Sequence, residues 1–343
     1  MAAGLSSPLR ARASLPGLLT PILTKRTAIV RTVPLLLAAV AVFLFGGAMD
    51  IEGKERGALC GGRPYARIGV PNGSSPYVDL TVDGVTGPFL LDYGATFSSL
   101  SAEAFPGRSG SIGKAAISLP GIGTADFRLA RYDLLLQPKK GQLGVIGDDL
   151  LSRLTVELTE TAAYIGEEPC RPEALAARGL TPVAESGFFS SDPAKVRAGL
   201  ANVPVVFLRL GAIRAWAQID SGYEDSVYLR SVDVNQALFD RLARSGVKMN
   251  PIGDIDIWTC EGRERRPVYR VEKLSLRIEN ERGKPIVETR DFHLIVKPSN
   301  ACGGIADLAE PAAQLGASFL RLFGAVIFDP RSATVWLDGA AHR

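Results

Sequence analysis

Histidine is nearly absent from this chain. The two histidines are His293, in a strand-like run, and His342, next to the C-terminus. A Ser-His-Asp triad or a histidine-based zinc site would therefore depend on His293 alone. The run around His293 favours a structural role for it, so the sequence gives little support to either kind of site. We expect no metal and no other cofactor.

The chain also lacks a long basic block. Its 343 residues carry a formal net charge of +3 with 22% charged residues, which argues against nucleic acid as the main partner. The stretch from Ser109 to Lys114 hints at a phosphate-binding loop, but it has neither the first glycine nor the final Ser/Thr of that motif. With 46% hydrophobic residues, the length allows two domains or one large bilobal domain.

One long apolar run is present near the N-terminus. Residues 33–49 contain no charge, follow a basic segment at 1–32 and precede Asp50 and Glu52. This asymmetry predicts a single transmembrane anchor with a cytoplasmic N-terminus and the rest of the chain outside, in the periplasm or the extracellular space. A cleavable signal peptide ending near Gly46-Gly47-Ala48 is the alternative.

Cysteine is scarce too. The four cysteines, all beyond the apolar run, are Cys60, Cys170, Cys260 and Cys302. None has C-x-x-C spacing, which argues against a zinc ribbon or a redox motif. Export permits disulfides, and three connectivities are possible. We favour pairing Cys260 with Cys302 and Cys60 with Cys170.

Two stretches share a pattern in which an apolar strand ends at a lone aspartate and turns on a glycine. The first contains Asp92 and Gly94, and the second contains Asp220 and Gly222. Asp, Ser and Gly are ordinary turn residues, so one copy would indicate only a tight turn. Because each copy follows a predicted hairpin, the pair indicates two related halves whose carboxylates meet. Two solvated turns in a structural repeat are the alternative.

The segments downstream of the two motifs also match. Each half continues through further strands to an apolar, glycine-containing element, 143–151 in the first and 315–320 in the second, followed by two strands. The predicted fold is all-β, with an N-terminal lobe at 62–168, a connector at 169–200 and a C-terminal lobe at 201–340.

A pair of close carboxylates has a definite chemistry. Two such groups cannot both ionise easily, so they share a proton over a mildly acidic range. The ionised carboxylate can take a proton from a water molecule while the protonated one polarises a carbonyl group, which is general acid–base hydrolysis without a covalent intermediate.

At this point the chain resembles the bilobal, pepsin-like aspartic proteases. That family has apolar-apolar-Asp-Thr/Ser-Gly in each lobe and a later apolar-apolar-Gly element. The first motif here, Asp92 to Thr96, is also similar to that of retropepsins. The resemblance covers about 75–340. It implies a cleft between two lobes, an extended peptide or protein substrate and no metal.

The resemblance assigns roles to particular residues. Asp92 and Asp220 correspond to the catalytic pair, Gly94 and Gly222 to its glycines, and Ser221 to the family hydroxyl that supports the pair.

The sequence departs from the family pattern beside each aspartate. Tyr93 stands where the family has Thr or Ser, and its phenol is too long for that buried slot without rearrangement; Tyr223 replaces a small residue in the second motif. Tyr93 and Thr96 are still candidates for supporting the aspartates. A flap hairpin is expected within 115–137. Tyr132, as its aromatic residue, and Tyr223 are candidates for substrate binding.

The leading hypothesis is a membrane-anchored, extracytoplasmic aspartic endopeptidase. The substitution at Tyr93 motivates an alternative, a catalytically weak or inactive peptide-binding or scaffold protein on the same fold. A third hypothesis is an exported all-β binding domain unrelated to proteases, in which the two aspartates would lie far apart.

Overall fold

A computed structural model describes residues 60–69, 74–106, 113–119, 123–132, 141–184, 186–188, 203–259, 262–301 and 304–339. The predicted tail at 1–32, the apolar segment at 33–49, Cys260 and Cys302 lie outside these residues. Within the described ranges, no helix has both the length and the apolar character that a membrane span needs.

The described residues form mainly β-structure, in agreement with the all-β prediction. The strands are β1 (Arg63–Ala66), β2 (Tyr77–Val82), β3 (Val85–Leu91), β4 (Ser98–Ser101), β5 (Gly113–Leu119), β6 (Gly123–Tyr132), β7 (Gly144–Ile146), β8 (Thr155–Thr159), β9 (Ala162–Gly166), β10 (Leu180–Pro182), β11 (Gly187–Phe188), β12 (Pro204–Leu210), β13 (Ile213–Ile219), β14 (Ser231–Asn235), β15 (Met249–Thr259), β16 (Gly262–Val271), β17 (Leu276–Glu279), β18 (Pro285–Thr289), β19 (His293–Lys297), β20 (Ala312–Leu315), β21 (Ala325–Asp329) and β22 (Thr334–Asp338).

Helices are few and short in this part of the chain. They are α1 (Asp148–Leu151), α2 (Pro172–Ala177), α3 (Gln236–Arg244) and two 3-10 helices, Gly304–Asp307 and Ala317–Leu322. The side chain of Asn235 caps α3 by accepting a hydrogen bond from the Leu238 amide at 3.0 Å. Such a cap satisfies one of the free amides at a helix start.

The first lobe is a closed barrel with strand order β2-β3-β7-β4-β6-β5. The second lobe is a larger sheet, ordered β15-β16-β19-β14-β20-β13-β12-β17-β18, with β11 on β12. Part of it, β12-β13-β20-β14-β19-β16, repeats the order of the barrel. The central pairs β3/β7 and β13/β20 are both parallel, as are β4/β6 and β14/β19. The repeat seen in the sequence is therefore also a repeat of topology.

A third sheet takes strands from both halves of the sequence, in the order β1-β9-β8-β21-β22-β10. Its centre is the antiparallel pair β8/β21, in which Val156 is opposite Phe328. Both side chains are fully buried in a core cluster that also contains residues of the two lobes. This shared sheet packs the two halves around one core.

The segment predicted as a connector contains one helix and two short strands among its described residues. Within 169–200, α2 is followed by β10, which pairs with β22, and by β11, which pairs with β12. Cys170 in this segment is bonded to Cys60, as predicted. Both cysteines pack with Leu175, Ile327 and Trp336 in a small buried cluster beside the shared sheet.

Two strand-like runs of the sequence in the second lobe, 268–279 and 286–296, each form two strands. The run at 268–279 is divided into β16 and β17 at Lys273, which has a φ of 57°. A non-glycine residue in this left-handed region marks a tight turn. The run at 286–296 is likewise divided into β18 and β19.

Candidate active site

The ends of two matching strands position Asp92 and Asp220. Asp92 follows β3, and its amide donates to the Ile146 carbonyl on β7 at 2.9 Å. Asp220 follows β13, and its amide donates to the Leu315 carbonyl on β20 at 3.0 Å. The residues before them, Leu91 and Ile219, are buried. Each aspartate is therefore held at the end of a rigid central strand.

The structure brings these two aspartates together. A methyl group added to Gly94 would overlap the Asp220 carboxyl group, and one added to Gly222 would overlap that of Asp92. The Gly94 amide donates to Asp92 Oδ1 at 2.7 Å, and the Gly222 amide donates to Asp220 Oδ1 at 2.9 Å. Each carboxyl group therefore lies against the glycine of the opposite motif, which brings the two acids close together. Only glycine allows this approach.

The surroundings raise the pKa of both carboxyl groups. For Asp92 the main cause is burial, partly offset by the hydrogen bond from the Gly94 amide. For Asp220 burial again comes first, followed by the charge of Asp92, and its pKa rises well above the ordinary value. Two close carboxyl groups titrate as one unit, so the pair holds a shared proton to higher pH than an isolated aspartate would.

Ser221 links the two lobes directly below the aspartates. Its hydroxyl accepts a hydrogen bond from the Tyr93 amide at 3.0 Å and donates to the Leu91 carbonyl at 2.7 Å. Ser221 is fully buried. A second link comes from Glu224 Oε2, which accepts from the amides of Ser74 at 2.7 Å and Ser75 at 3.0 Å.

From the first lobe, the Tyr93 side chain does not form the counterpart of the hydrogen bonds that Ser221 forms from the second lobe. Its phenol is fully buried, and its ring packs on Phe328 of the shared sheet with 4.1 Å between centroids. The phenol oxygen has no hydrogen-bond partner in the described structure. The rearrangement expected from the sequence is thus a turn of the Tyr93 ring into the core. Of these two matching positions, Ser221 hydrogen-bonds to the opposite lobe and the Tyr93 side chain does not.

Asp148, directly after the Gly147 turn, was not foreseen from the sequence. It is fully buried, and neither carboxylate oxygen has a hydrogen-bond partner in the described structure. Its pKa is raised well above the ordinary value, first by burial and then by the charges of Asp92 and Asp220. Its neighbour Asp149 has an ordinary structural role, since its Oδ1 accepts from the Ser98 amide and hydroxyl at 2.9 and 2.7 Å.

A polar cluster adjoins Asp220 in the second lobe. Gln314 Nε2 donates to Asp220 Oδ2 at 2.6 Å. Deeper in the lobe, Arg266 Nη1 pairs with Asp233 Oδ2 at 3.0 Å, and both side chains are buried. Burial raises the pKa of Asp233 to about 6, although Arg266 and Lys297 act in the opposite direction.

Tyr223 contacts the pair through its backbone, since its amide donates to Asp220 Oδ1 at 2.9 Å. Burial of its phenol inside the second lobe, and next the charges of Asp233 and Asp225, raise the pKa of Tyr223. Tyr132 ends β6 opposite Ser101, at the open end of the β5/β6 hairpin rather than at its turn. Its role as the aromatic residue of a flap hairpin stays a prediction.

Thr96 and His293 form no described hydrogen bond with the aspartate pair. His293 is on β19, and its Nδ1 lies 3.2 Å from the Leu229 carbonyl oxygen, in keeping with a structural role. In the part of the chain that the structure covers, no three His, Cys, Asp or Glu side chains are grouped so as to hold a metal ion.

Comparison with known proteins adds little to this geometry. No family model and no curated protein matches the chain. Among solved structures, basic 7S globulin from soybean aligns with 81% of this chain and 95% of its own, at 12% identity and a TM-score of 0.42. A similarity this low carries no argument about activity, so function is argued from the residues themselves.

Replacing Ser221 with alanine should destabilise the protein. The variant leaves the buried Tyr93 amide and Leu91 carbonyl unpaired, at a cost of about 1–3 kcal/mol in the free energy of unfolding. Urea denaturation measures it. The exposed Ser245, whose hydroxyl donates to the Leu242 carbonyl, provides the matched control, and an equal loss in Ser221→Ala and Ser245→Ala would contradict the bridging role.

Asp148→Asn should gain stability relative to the wild type as pH rises. The folded chain holds the Asp148 proton above the pH at which the unfolded chain releases it, so wild-type stability falls from about pH 4 upward. Each unit of raised pKa corresponds to about 1.4 kcal/mol. Denaturation at pH 4, 6 and 8 measures the difference, with the exposed Asp79→Asn as the control. A pH-independent difference for Asp148→Asn would refute the expectation.

Proposed function

We propose that this protein is an aspartic endopeptidase in which Asp92 and Asp220 hydrolyse peptide bonds. The observation that carries the proposal is the mutual approach of the two carboxyl groups, each against the glycine of the opposite motif. A structural repeat with two solvated turns gives no reason for two acidic groups to be partly buried so close together. Such an approach costs stability, so it favours a chemical role.

In the proposed mechanism the pair carries one proton. The ionised carboxylate takes a proton from a water molecule, which attacks the carbonyl carbon of the peptide bond. The protonated carboxyl group donates its proton to the carbonyl oxygen. The C–N bond then breaks, and the pair gives a proton to the leaving amine. The amides of Gly94 and Gly222 hold one oxygen of each carboxyl group in place. Ser221 fixes the backbone before and after Asp92 from the opposite lobe.

The proposal includes a location outside the cytoplasm, with residues 33–49 as an anchor. The disulfide between Cys60 and Cys170 supports an oxidising compartment. Full-length protein should stay in the membrane pellet after an alkaline carbonate wash, and a protease added to intact cells or spheroplasts should digest it. Release of a shortened chain into the soluble fraction would instead indicate a cleaved signal peptide.

A second function is favoured by Tyr93. Because this side chain gives the first lobe no hydroxyl to match Ser221, the support of the aspartates is incomplete on one side. The protein could then hold peptides in the same site without cutting them. This binding function differs from the leading proposal only in the chemical step, so one assay separates the two.

The assay is cleavage of an unstructured protein by the purified chain from pH 3 to 7. We expect cleavage that declines as pH rises past the raised pKa of the pair, because both carboxyl groups then become ionised. Asp92→Asn and Asp220→Asn should each reduce the rate at least about a thousandfold, while the exposed Asp79→Asn should not.

Peptide binding without cleavage at any pH would favour the second function. Cleavage that survives in both asparagine variants would show that the activity comes from elsewhere.

A further inference from the structure

Backbone support is of the same kind on both sides of the aspartate pair. The Gly94 amide donates to Asp92 Oδ1, and the Gly222 amide donates to Asp220 Oδ1. Both amides belong to the repeated turn, and each stabilises an ionised carboxylate more than a protonated one. The two turns therefore do not decide which acid holds the proton of the pair.

A side chain of the second lobe breaks this equivalence. Gln314 on β20 donates from Nε2 to Asp220 Oδ2 at 2.6 Å. It directly precedes Leu315, whose carbonyl accepts from the Asp220 amide. The matching residue of the first lobe is Val145, which directly precedes Ile146 on β7. Because valine has no side-chain donor, these matching positions give a side-chain hydrogen bond to Asp220 alone.

The neighbouring positions show the same contrast. Gln218 on β13 is in register with Gln314, whereas Leu90 on β3 is in register with Val145. Leu90 and Val145 belong to a small buried apolar cluster. Gln218 is also buried, and its Oε1 has no hydrogen-bond partner among the described residues. The second lobe therefore has amide side chains where the first has aliphatic ones, although buried polar groups cost stability.

Lys297, at the end of β19, orients the Gln314 amide. The lysine side chain is buried. A Cβ atom placed on Gly304 would lie 3.1 Å from Lys297 Nζ and 3.9 Å from Oε1 of both Gln218 and Gln314. An ammonium group only donates hydrogen bonds, and an amide oxygen only accepts them. The oxygen of Gln314 therefore belongs on the lysine side, with its NH2 group on the side of Asp220.

The ionisable groups near the pair favour an anion at Asp220 as well. Burial lowers the pKa of Lys297, and the charge of Asp220 is among the effects that raise it. The same attraction stabilises ionised Asp220. In the first lobe, burial and then the charges of Asp92 and Asp220 raise the pKa of Asp148. Burial also raises the pKa of Tyr77 to about 12, with a smaller contribution from Asp92. Both first-lobe groups are therefore neutral at acidic pH, whereas the second lobe offers a cation.

Repulsion between the two carboxylates does not select either of them. The charge of Asp92 adds to burial in raising the pKa of Asp220. This repulsion acts on whichever carboxyl group ionises second, and it is absent while the pair holds one proton. The first ionisation is therefore decided by the donors and charges around each acid, which favour Asp220.

We propose that Gln314 is a positioning residue that keeps Asp220 as the ionised member of the pair, so that Asp220 is the base and Asp92 is the acid. The inference rests on the proposed function and assigns a role to each aspartate. Asp220 takes a proton from the water molecule as its oxygen attacks the carbonyl carbon, and Asp92 gives its proton to the carbonyl oxygen. When the C–N bond breaks, Asp220 passes its proton to the amine and Asp92 recovers one from a hydroxyl of the tetrahedral intermediate.

The first test is the pH profile of kcat/KM for Gln314→Met, which keeps the side-chain length and removes the donor. Because the ionised form of Asp220 loses a hydrogen bond, the acidic limb should move up by about one to two pH units. The alkaline limb, at which Asp92 loses the remaining proton, should stay in place. The matched control is Gln236→Met, which removes the hydrogen bond from an exposed glutamine to Asp240.

A shifted alkaline limb with an unchanged acidic limb would show that Asp220 holds the proton, and would overturn the assignment. If neither limb moved more than in the Gln236→Met control, Gln314 would have no part in the ionisation of the pair.

The second test needs neither hydrolysis nor a folded Gln314 variant. NMR titration of isotope-labelled aspartate carboxyl carbons follows Asp220 alone in Asp92→Asn and Asp92 alone in Asp220→Asn. We expect Asp220 to titrate at lower pH than Asp92, because it keeps the hydrogen bond from Gln314. Adding Gln314→Met to Asp92→Asn should move the titration of Asp220 upward.

The two tests together separate this inference from the proposed function. The expected order of titration in a chain that cleaves no peptide would keep the effect of Gln314 and refute the endopeptidase. Equal or reversed titration in a chain that does cleave would overturn the roles and leave the endopeptidase in place. Equal or reversed titration without cleavage would overturn both.

Discussion

The close approach of the carboxyl groups of Asp92 and Asp220 is the constraint on which the rest of this structure depends. Two acidic groups in one partly buried place repel each other when ionised and lose solvation, so the fold must supply compensating contacts. The backbone amides of Gly94 and Gly222 supply part of this. The hydroxyl of Ser221 fixes the strand end of the opposite lobe.

The frame around this pair is symmetric, but the chemistry is not. The lobes share one strand order and hold their aspartates by equivalent backbone bonds to Ile146 and Leu315. One lobe then places a fully buried acid, Asp148, after its glycine turn. The other places amides and a lysine beside its aspartate. A repeated frame supplies the geometry, while side chains that differ between the repeats distinguish the two aspartates.

The positions of the two aspartates could be predicted because they rest on local patterns that occur twice. In each copy the glycine is required because the opposite carboxyl group leaves no room for a Cβ atom. The apolar residue directly before each aspartate ends a strand and is buried. The disulfide between Cys60 and Cys170 followed from the same division into halves. Aligning the two copies would also have exposed the contrast between Leu90 and Gln218, because the residue two places before each aspartate can be read directly.

Other features had no local signal. Asp148 sits in an acidic pair at a helix start, where a solvated carboxylate is ordinary, and only its complete burial close to Tyr93 shows otherwise. The break at Lys273 depends on a left-handed residue that is neither glycine nor asparagine. The convergence of Lys297 with the glutamines joins strands far apart in sequence, which no periodicity encodes.

The sheet that joins the halves has one more consequence. Its strands come from before the barrel, from the connector and from the C-terminal end, with β8 and β21 side by side at its centre. Neither half contains all of its own sheet partners, so a ribosome must deliver almost the whole polypeptide before this layer can close. Assembly of the aspartate pair is therefore a late event in synthesis, and a truncated chain emerges with its acidic residues still apart.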